Sequence, residues 1–277
     1  MTVESKRPRK ADQSRPGAPV VRIDPRSTRA VEGALVPIAF PTTGLAGNIA
    51  CRYLIQTLGA RPFGFWDDAE AAPVVCAEGG RGWPCLRLFA VPTPCGLGGR
   101  CDRLVIACSD LSPPATRLRA LARAFLEWSV ASRAEALIVL EGYASSREGA
   151  VPDDAPSPSR VAGLANRDGE AMLAGLRLDR MEGLATGFMA AMMLESFSTG
   201  LPLAGPVVES HREFPDARAA ALIVERLGPV LPGLRLDPEP LRAEAARWEE
   251  EVRRSRASAL HRLHPPAAAG PGAGMYQ

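Results

Sequence analysis

Lysine is almost missing from this chain of 277 residues. It stands only at Lys6 and Lys10, so 31 of the 33 Lys+Arg are arginine (33 − 2 = 31), a skew typical of a GC-rich genome rather than of a chemistry. Charge of one sign is also missing in excess: the net charge is +2, which excludes bulk electrostatic binding of nucleic acid. Aromatic residues are only 5% of the chain, so a core must be built mainly from Leu, Val, Ala and Met.

Other absences narrow the chemistry. The six cysteines, at 51, 76, 85, 95, 101 and 108, include no C-x-x-C pair, and the three histidines, His211, His261 and His264, lie far along the chain from them. A zinc site needs four soft ligands in tight groups, so no metal is expected. The cysteines read as structural or free thiols of a reducing cytosol, with a Cys95–Cys101 disulfide as the alternative. No apolar run reaches the length of a membrane span, and the N-terminal stretch lacks the apolar segment of a secretory signal, so a cytoplasmic protein is expected. There is no G-x-S-x-G, no H-E-x-x-H, no G-x-x-x-x-G-K-[ST] and no G-x-G-x-x-G.

What is present is an alternation of strands and helices. "ALVPIAF" (34–40) is a short apolar run suited to a buried strand, followed by the turn "PTTGLAGN" and by "NIACRYLIQTLG", with Ile49, Leu54, Ile55 and Leu58 at helical spacing and Gly59 placed to end the helix. Strands are predicted at 61–66, 86–92, 103–110, 135–143, 160–165 and 203–210. The helix over 116–132 is predicted to turn Leu118, Leu121, Leu126 and Val130 to the core. "GLATGFMAAMMLESFSTG" (183–200) is apolar nearly all round, as a buried helix or one in a subunit interface would be. "DARAAALIVERLG" opens with an Asp suited to cap a helix, and 237–263 reads as a long charged helix with Leu241, Ala245, Trp248 and Val252 on one side.

Unbroken apolar strands separated by helices are characteristic of a parallel sheet covered on both faces. The expectation is one three-layer α/β/α domain with a mostly parallel sheet over residues 28–263. A disordered basic tail precedes it (1–27, with the cluster "KRPRK"), a Pro/Ser/Asp-rich surface loop interrupts it (145–160), and a flexible tail follows (264–277).

The candidate sites are few. "GLAGN" after the first strand, with Gly44, Gly47 and Asn48, is able to cradle a phosphate at a helix start, but a tight turn and close helix–sheet packing account for its glycines as well. "CGLGGRC" (95–101) precedes a strand rather than a helix and reads as hairpin or loop chemistry. Glu141 ends one strand and Glu209, Ser210 and His211 end another, where open α/β sheets keep their ligands. These could sketch a phosphorylase-like cleft with His211 as base, or be ordinary strand-end polar groups. No cofactor is expected.

The order of these features resembles a known family. "LVPIAFPTTGLAGNIACRYLIQTLGARPFGFW" is similar to the opening of the proteasome assembly chaperone 2 family: strand, glycine turn, helix ending in "LG", second strand. "GLATGFMAAMMLESFSTGLPLAGPVVESHREFPDARAAALIVERL" resembles its second half, and 237–263 its long final helix, so that the likeness covers about residues 30–262. The resemblance implies a fold similar to the nucleoside phosphorylases without their catalytic residues, and an ATP-independent chaperone of proteasome α-ring assembly, homo-oligomeric in archaea. Met275, Tyr276 and Gln277 then match the hydrophobic-Tyr-any (HbYX) motif by which proteasome partners enter pockets between α subunits of the core particle. The basic N-terminal segment and the 145–160 loop are not parts of the family's pattern. The same motif serves gate-opening activators, so activator is the alternative to assembly chaperone. Nucleic acid and membrane are not expected partners.

Overall fold

The computed structural model describes residues 19–23, 31–71, 73–144, 160–211 and 214–247. The basic cluster, most of the 145–160 loop, Trp248, Val252, His261, His264 and the terminal Met-Tyr-Gln lie outside these described residues.

Among the described residues eleven strands and the helices follow in chain order: β1 (Val20–Ile23), β2 (Leu35–Ala39), α1 (Ala46–Leu58), β3 (Arg61–Asp67), β4 (Val75–Glu78), β5 (Arg81–Pro84), β6 (Leu86–Cys95), β7 (Cys101–Ser109), α2 (Leu118–Ala131), β8 (Ala136–Ala144), β9 (Val161–Ala165), α3 (Glu170–Gly175), β10 (Asp179–Arg180), α4 (Gly187–Ser196), β11 (Leu203–Ser210) and α5 (Ala217–Leu227). A further helical stretch occupies 239–247, the start of the predicted long helix, with Leu241 and Ala245 buried.

Nine strands form one sheet in the order β1-β3-β6-β7-β2-β8-β11-β9-β10, and β4 and β5 form a separate hairpin. The centre of the sheet is parallel, with β2 between β7 and β8 and β11 beside β8. Antiparallel strands extend it on both sides, through β6 on one and β9 on the other. Strand alternation divides the core in two. Ile138 and Leu140 of β8 face α1 and α5, whereas Leu137 and Val139 face α2 and α4. The three-layer α/β/α architecture follows from that division.

Several details differ from the sequence expectations, among them the β4–β5 hairpin, α3 and β10, which the sequence reading does not include. Val20–Ile23, inside the stretch read as a basic tail, is an edge strand paired with β3 from Val20↔Asp67 to Ile23↔Gly64. Val130 is 45% exposed rather than in the core. In its place Phe125 is fully buried and stacked on Trp66, ring centroids 4.4 Å apart, because the buried stripe of α2 runs through Leu121, Ala122, Phe125, Leu126 and Ser129. Finally, Cys95 and Cys101 are joined by a disulfide, not free. The "CGLGGRC" loop is the β6–β7 hairpin connection, and antiparallel pairing sets Cys95 directly opposite Cys101.

Helix α4 is apolar on every side, as expected, but shorter than the predicted span. Phe188, Met189, Ala191, Met192 and Met193 are buried against the sheet and α2, while Leu194 and the following Phe197 are exposed. Glu195 ties α4 to α2 through Arg119 at 2.6 Å and Arg123 at 2.9 Å.

Candidate functional site at the strand ends

The C-terminal ends of β8 and β11 meet the starts of α1, α4 and α5, and most of the residues expected to line a cleft come together there. Their glycines are consumed by packing. A Cβ on Gly47 would stand 2.3 Å from the carbonyl oxygen of Leu140, so α1 lies directly against β8 only because this residue has no side chain. Gly44 has φ +65° and lies against Ser210, Asp216 and the His211 carbonyl; its own carbonyl accepts the Asp216 N–H at 2.7 Å. The chain stays left-handed at Leu45 (φ 53°) before α1 begins. Thr42 Oγ1 accepts the N–H of Gly142 at 3.0 Å, pinning this turn to β8.

The polar residues are likewise committed. Asn48 is buried and donates from Nδ2 to the Ser109 carbonyl at the end of β7, while its Oδ1 has no partner among the described residues. Asp216 caps α5: its Oδ1 accepts the Ala219 N–H at 2.9 Å and its Oδ2 the His211 N–H at 3.1 Å. His211 is exposed and its ring lies against Phe214, centroids 4.6 Å apart. Glu209 pairs in the sheet with Tyr143, and its carboxylate accepts the N–H of Arg160 at 3.4 Å.

Glu141 is the exceptional group. It is 9% exposed, and its Oε2 accepts the N–H of Met189 at 2.8 Å in the first turn of α4. Burial raises its pKa to about 7, opposed by that hydrogen bond. Gly187, at φ +73°, makes room for the carboxyl, since a Cβ there would lie 2.5 Å from Glu141 Oε1. Glu141 thus caps α4, Asp216 caps α5, Glu209 pairs across the sheet, and His211 stacks on Phe214 at the surface.

A pocket of about 160 Å³ opens elsewhere, between α1, β6, β7 and the β4–β5 hairpin, which is small for a drug-sized ligand. Arg87 lines it, bonded to Glu78 at 2.7 Å and to Asp110 at 2.9 Å, and Asp110 also holds Arg52. The Arg87 guanidinium holds the Glu78 carboxyl below the usual carboxylate range. Two cations face two anions, so the pocket carries no free charge with which to select an ion. These residues come from β6, β7, α1 and the hairpin, and no local sequence signal marks them. Among the described residues no group of three or more His, Cys, Asp or Glu is placed to hold a metal. No described helix is long and apolar enough to cross a membrane.

The model of the PAC2 family matches residues 38–255. The chain belongs to the PAC2 family. Among solved structures it is similar to Pyrococcus furiosus PbaA, an archaeal homolog of proteasome-assembly chaperone, with 26% identity and a TM-score of 0.71 over 89% of this chain and 94% of that one. Its fold is also that of Pyrococcus furiosus PbaB, an archaeal proteasome activator (18% identity, TM-score 0.69, 87% of this chain and 99% of that one). An uncharacterized protein of Methanocaldococcus jannaschii is 23% identical over 226 residues, 80% of this chain and 85% of its own. The PAC2 match takes in α1, the capped starts of α4 and α5, and the Glu141 strand end, so the packing described above is laid out on a PAC2 framework.

Proposed function

We propose that this protein is a non-enzymatic, ATP-independent chaperone of proteasome assembly. It binds proteasome α subunits through Met275, Tyr276 and Gln277. The observation that carries the reading is the conjunction of a PAC2 body similar to PbaA with a terminal hydrophobic-Tyr-any triplet. The occupied strand ends support the non-enzymatic part. Glu141 and Asp216 are spent on helix caps and Gly44 and Gly47 on close packing, which leaves no nucleophile–base pair among the described strand-end residues.

The physical logic is capture of a free carboxylate together with one buried aromatic anchor. The ten residues "PPAAAGPGAG" before the triplet reach at most about 35 Å when extended, enough to clear the folded body. One such anchor binds weakly. Several copies in a homo-oligomer facing several pockets of a ring gain by effective concentration. We assign that self-association to the exposed apolar side chains Leu194 and Phe197 (54% and 79% exposed), three residues apart at the C-terminal end of α4.

The likeness to PbaB favours a second reading, activation of the finished core particle. The deciding experiment compares full-length protein with a variant lacking 275–277, in pull-downs of proteasome α subunits and of the assembled core particle. Binding lost with the triplet supports the tail anchor; equal binding by both moves the contact onto the folded body. Faster ring formation from free α subunits then marks an assembly chaperone, and raised peptidase activity of the completed particle marks an activator.

A further inference from the structure

All six cysteines lie in pairs, although no pair is adjacent in sequence. Cys95 and Cys101 are bonded. Cys51 of α1 and Cys108 of β7 are both buried and face each other, with the Cys108 thiol lowered and that of Cys51 raised by this contact. Cys76 and Cys85 are different: both are partly exposed, and their Sγ atoms are 3.3 Å apart.

We propose that Cys76 and Cys85 are a thiol-modification site that closes to a second disulfide on reaction with a low-molecular-weight disulfide such as oxidised glutathione. The hairpin supplies the geometry. Cys76 pairs with Trp83 across β4–β5, so Cys85, two residues beyond Trp83, is its diagonal neighbour on the same face of the ribbon. The sulfurs need to approach by only about 1.3 Å to reach the ~2.05 Å of a disulfide. Cys85 is the fixed member, since its carbonyl accepts the Asp110 N–H at 2.9 Å at the end of β7. Cys76 sits on the hairpin, which is otherwise held to the sheet beside the pocket by Glu78 on Arg87.

The order of steps follows from the surroundings. Burial, and then the hydrogen bonds to Cys85 and Asp110, push the Cys76 thiol up to about 12, so Cys76 stays protonated and Cys85 attacks first. The Cys85 sulfur bonds to one sulfur of the reagent, its S–S bond breaks, and the departing thiolate takes the Cys85 proton. Cys76 then gives up its proton to solvent and displaces the second thiolate from Cys85, which takes up a proton in turn. Two protein thiols lose two electrons and one reagent disulfide becomes two thiols. The product ties the hairpin that carries Glu78 to the start of β6.

The test is a titration of the full-length protein with oxidised glutathione, followed by denaturation, maleimide labelling and peptide mapping. Four thiols should label before oxidation and two after, with Cys76 and Cys85 recovered as one linked peptide and Cys51 and Cys108 both labelled. Cys76→Ser should trap a glutathione adduct on Cys85, and Cys85→Ser should take up none. Four labelled thiols after oxidation would overturn the proposal. A persistent adduct on the unsubstituted protein, a link joining two chains, or a Cys51–Cys108 link in place of Cys76–Cys85 would overturn it equally.

Discussion

The buried carboxylate of Glu141 accepts the backbone N–H of Met189 at 2.8 Å, so the end of the central strand β8 caps the start of helix α4. An acid at a helix N-terminus meets the positive end of the helix dipole, but here it also loses its water. Desolvation prevails, and the pKa rises to about 7.

That rise fixes the sign of a pH dependence. Between the ordinary carboxyl value of 4.5 and about 7 the folded protein binds the Glu141 proton and the unfolded chain does not, so stability falls as pH increases through this window. The full effect is about 3 kcal/mol, present below the unfolded pKa and lost above the folded one. Glu141→Gln keeps an acceptor for Met189 without a charge. Urea midpoints at pH 5 and pH 8 should therefore converge in the variant relative to the unsubstituted protein, and parallel pH profiles would refute the assignment.

Gly47→Ala drives a methyl group into a main-chain carbonyl, 2.3 Å from the Leu140 oxygen, and no rotamer change can relieve it. Separating α1 from β8 should cost about 3 kcal/mol or more. Gly82→Ala, whose nearest neighbour would be Val75 Cγ2 at 3.6 Å, should stay within about 0.5 kcal/mol. Chemical denaturation of the two variants side by side checks the contrast; equal losses would mean that α1 does not depend on its contact with β8.

Asp216→Ala removes two acceptors at once, for Ala219 N–H and His211 N–H. The lost cap should cost about 1–2 kcal/mol, with Asp216→Asn recovering most of it because an amide oxygen still accepts. Hydrogen exchange should show the first turn of α5 opening more readily in the alanine variant and staying protected in the asparagine variant.

Replacing both Cys95 and Cys101 by Ser opens a cross-link of sequence separation 6. The chain-entropy relation for so short a loop gives a loss of about 2 kcal/mol. Thermal melts of the double variant should fall below those of the parent under oxidising conditions and match the reduced parent under strong reductant.

The local parts of this molecule were legible because their causes are local. Apolar runs such as "LVPIA" and "ALIVL" bury both faces and read as central strands, Gly59 stops α1 with φ +61°, and Asp216 caps α5 as its position predicts. The strand-end cluster was also legible as a list, since Gly44, Gly47 and Asn48 lie at the start of a helix and Glu141 and Glu209 near the ends of strands. Its use was not: whether a glycine cradles a ligand or admits a neighbouring strand depends on what lies within a few ångströms of it in space. The Leu140 carbonyl is 93 residues from Gly47 (140 − 47 = 93) and answers that question.

The same limit explains the remaining differences. Val20–Ile23 lacks any strong pattern of its own and becomes a strand only because β3 offers it an open edge. Val130 is exposed and Phe125 buried because the buried face of α2 is set by the aromatic cluster with Trp66 and Trp128, not by spacing alone. The three cysteine pairs, and the Arg52–Asp110–Arg87–Glu78 network beside one of them, join residues from different elements. By itself the sequence determined where the central strands and the helices α1, α2 and α5 fall, how α5 begins and which family the chain resembles, because side-chain period and capping act within a few residues. Tertiary structure alone decided which sulfurs meet, which glycines are filled and why Glu141 is buried, because those outcomes depend on distances between segments that no spacing along the chain encodes.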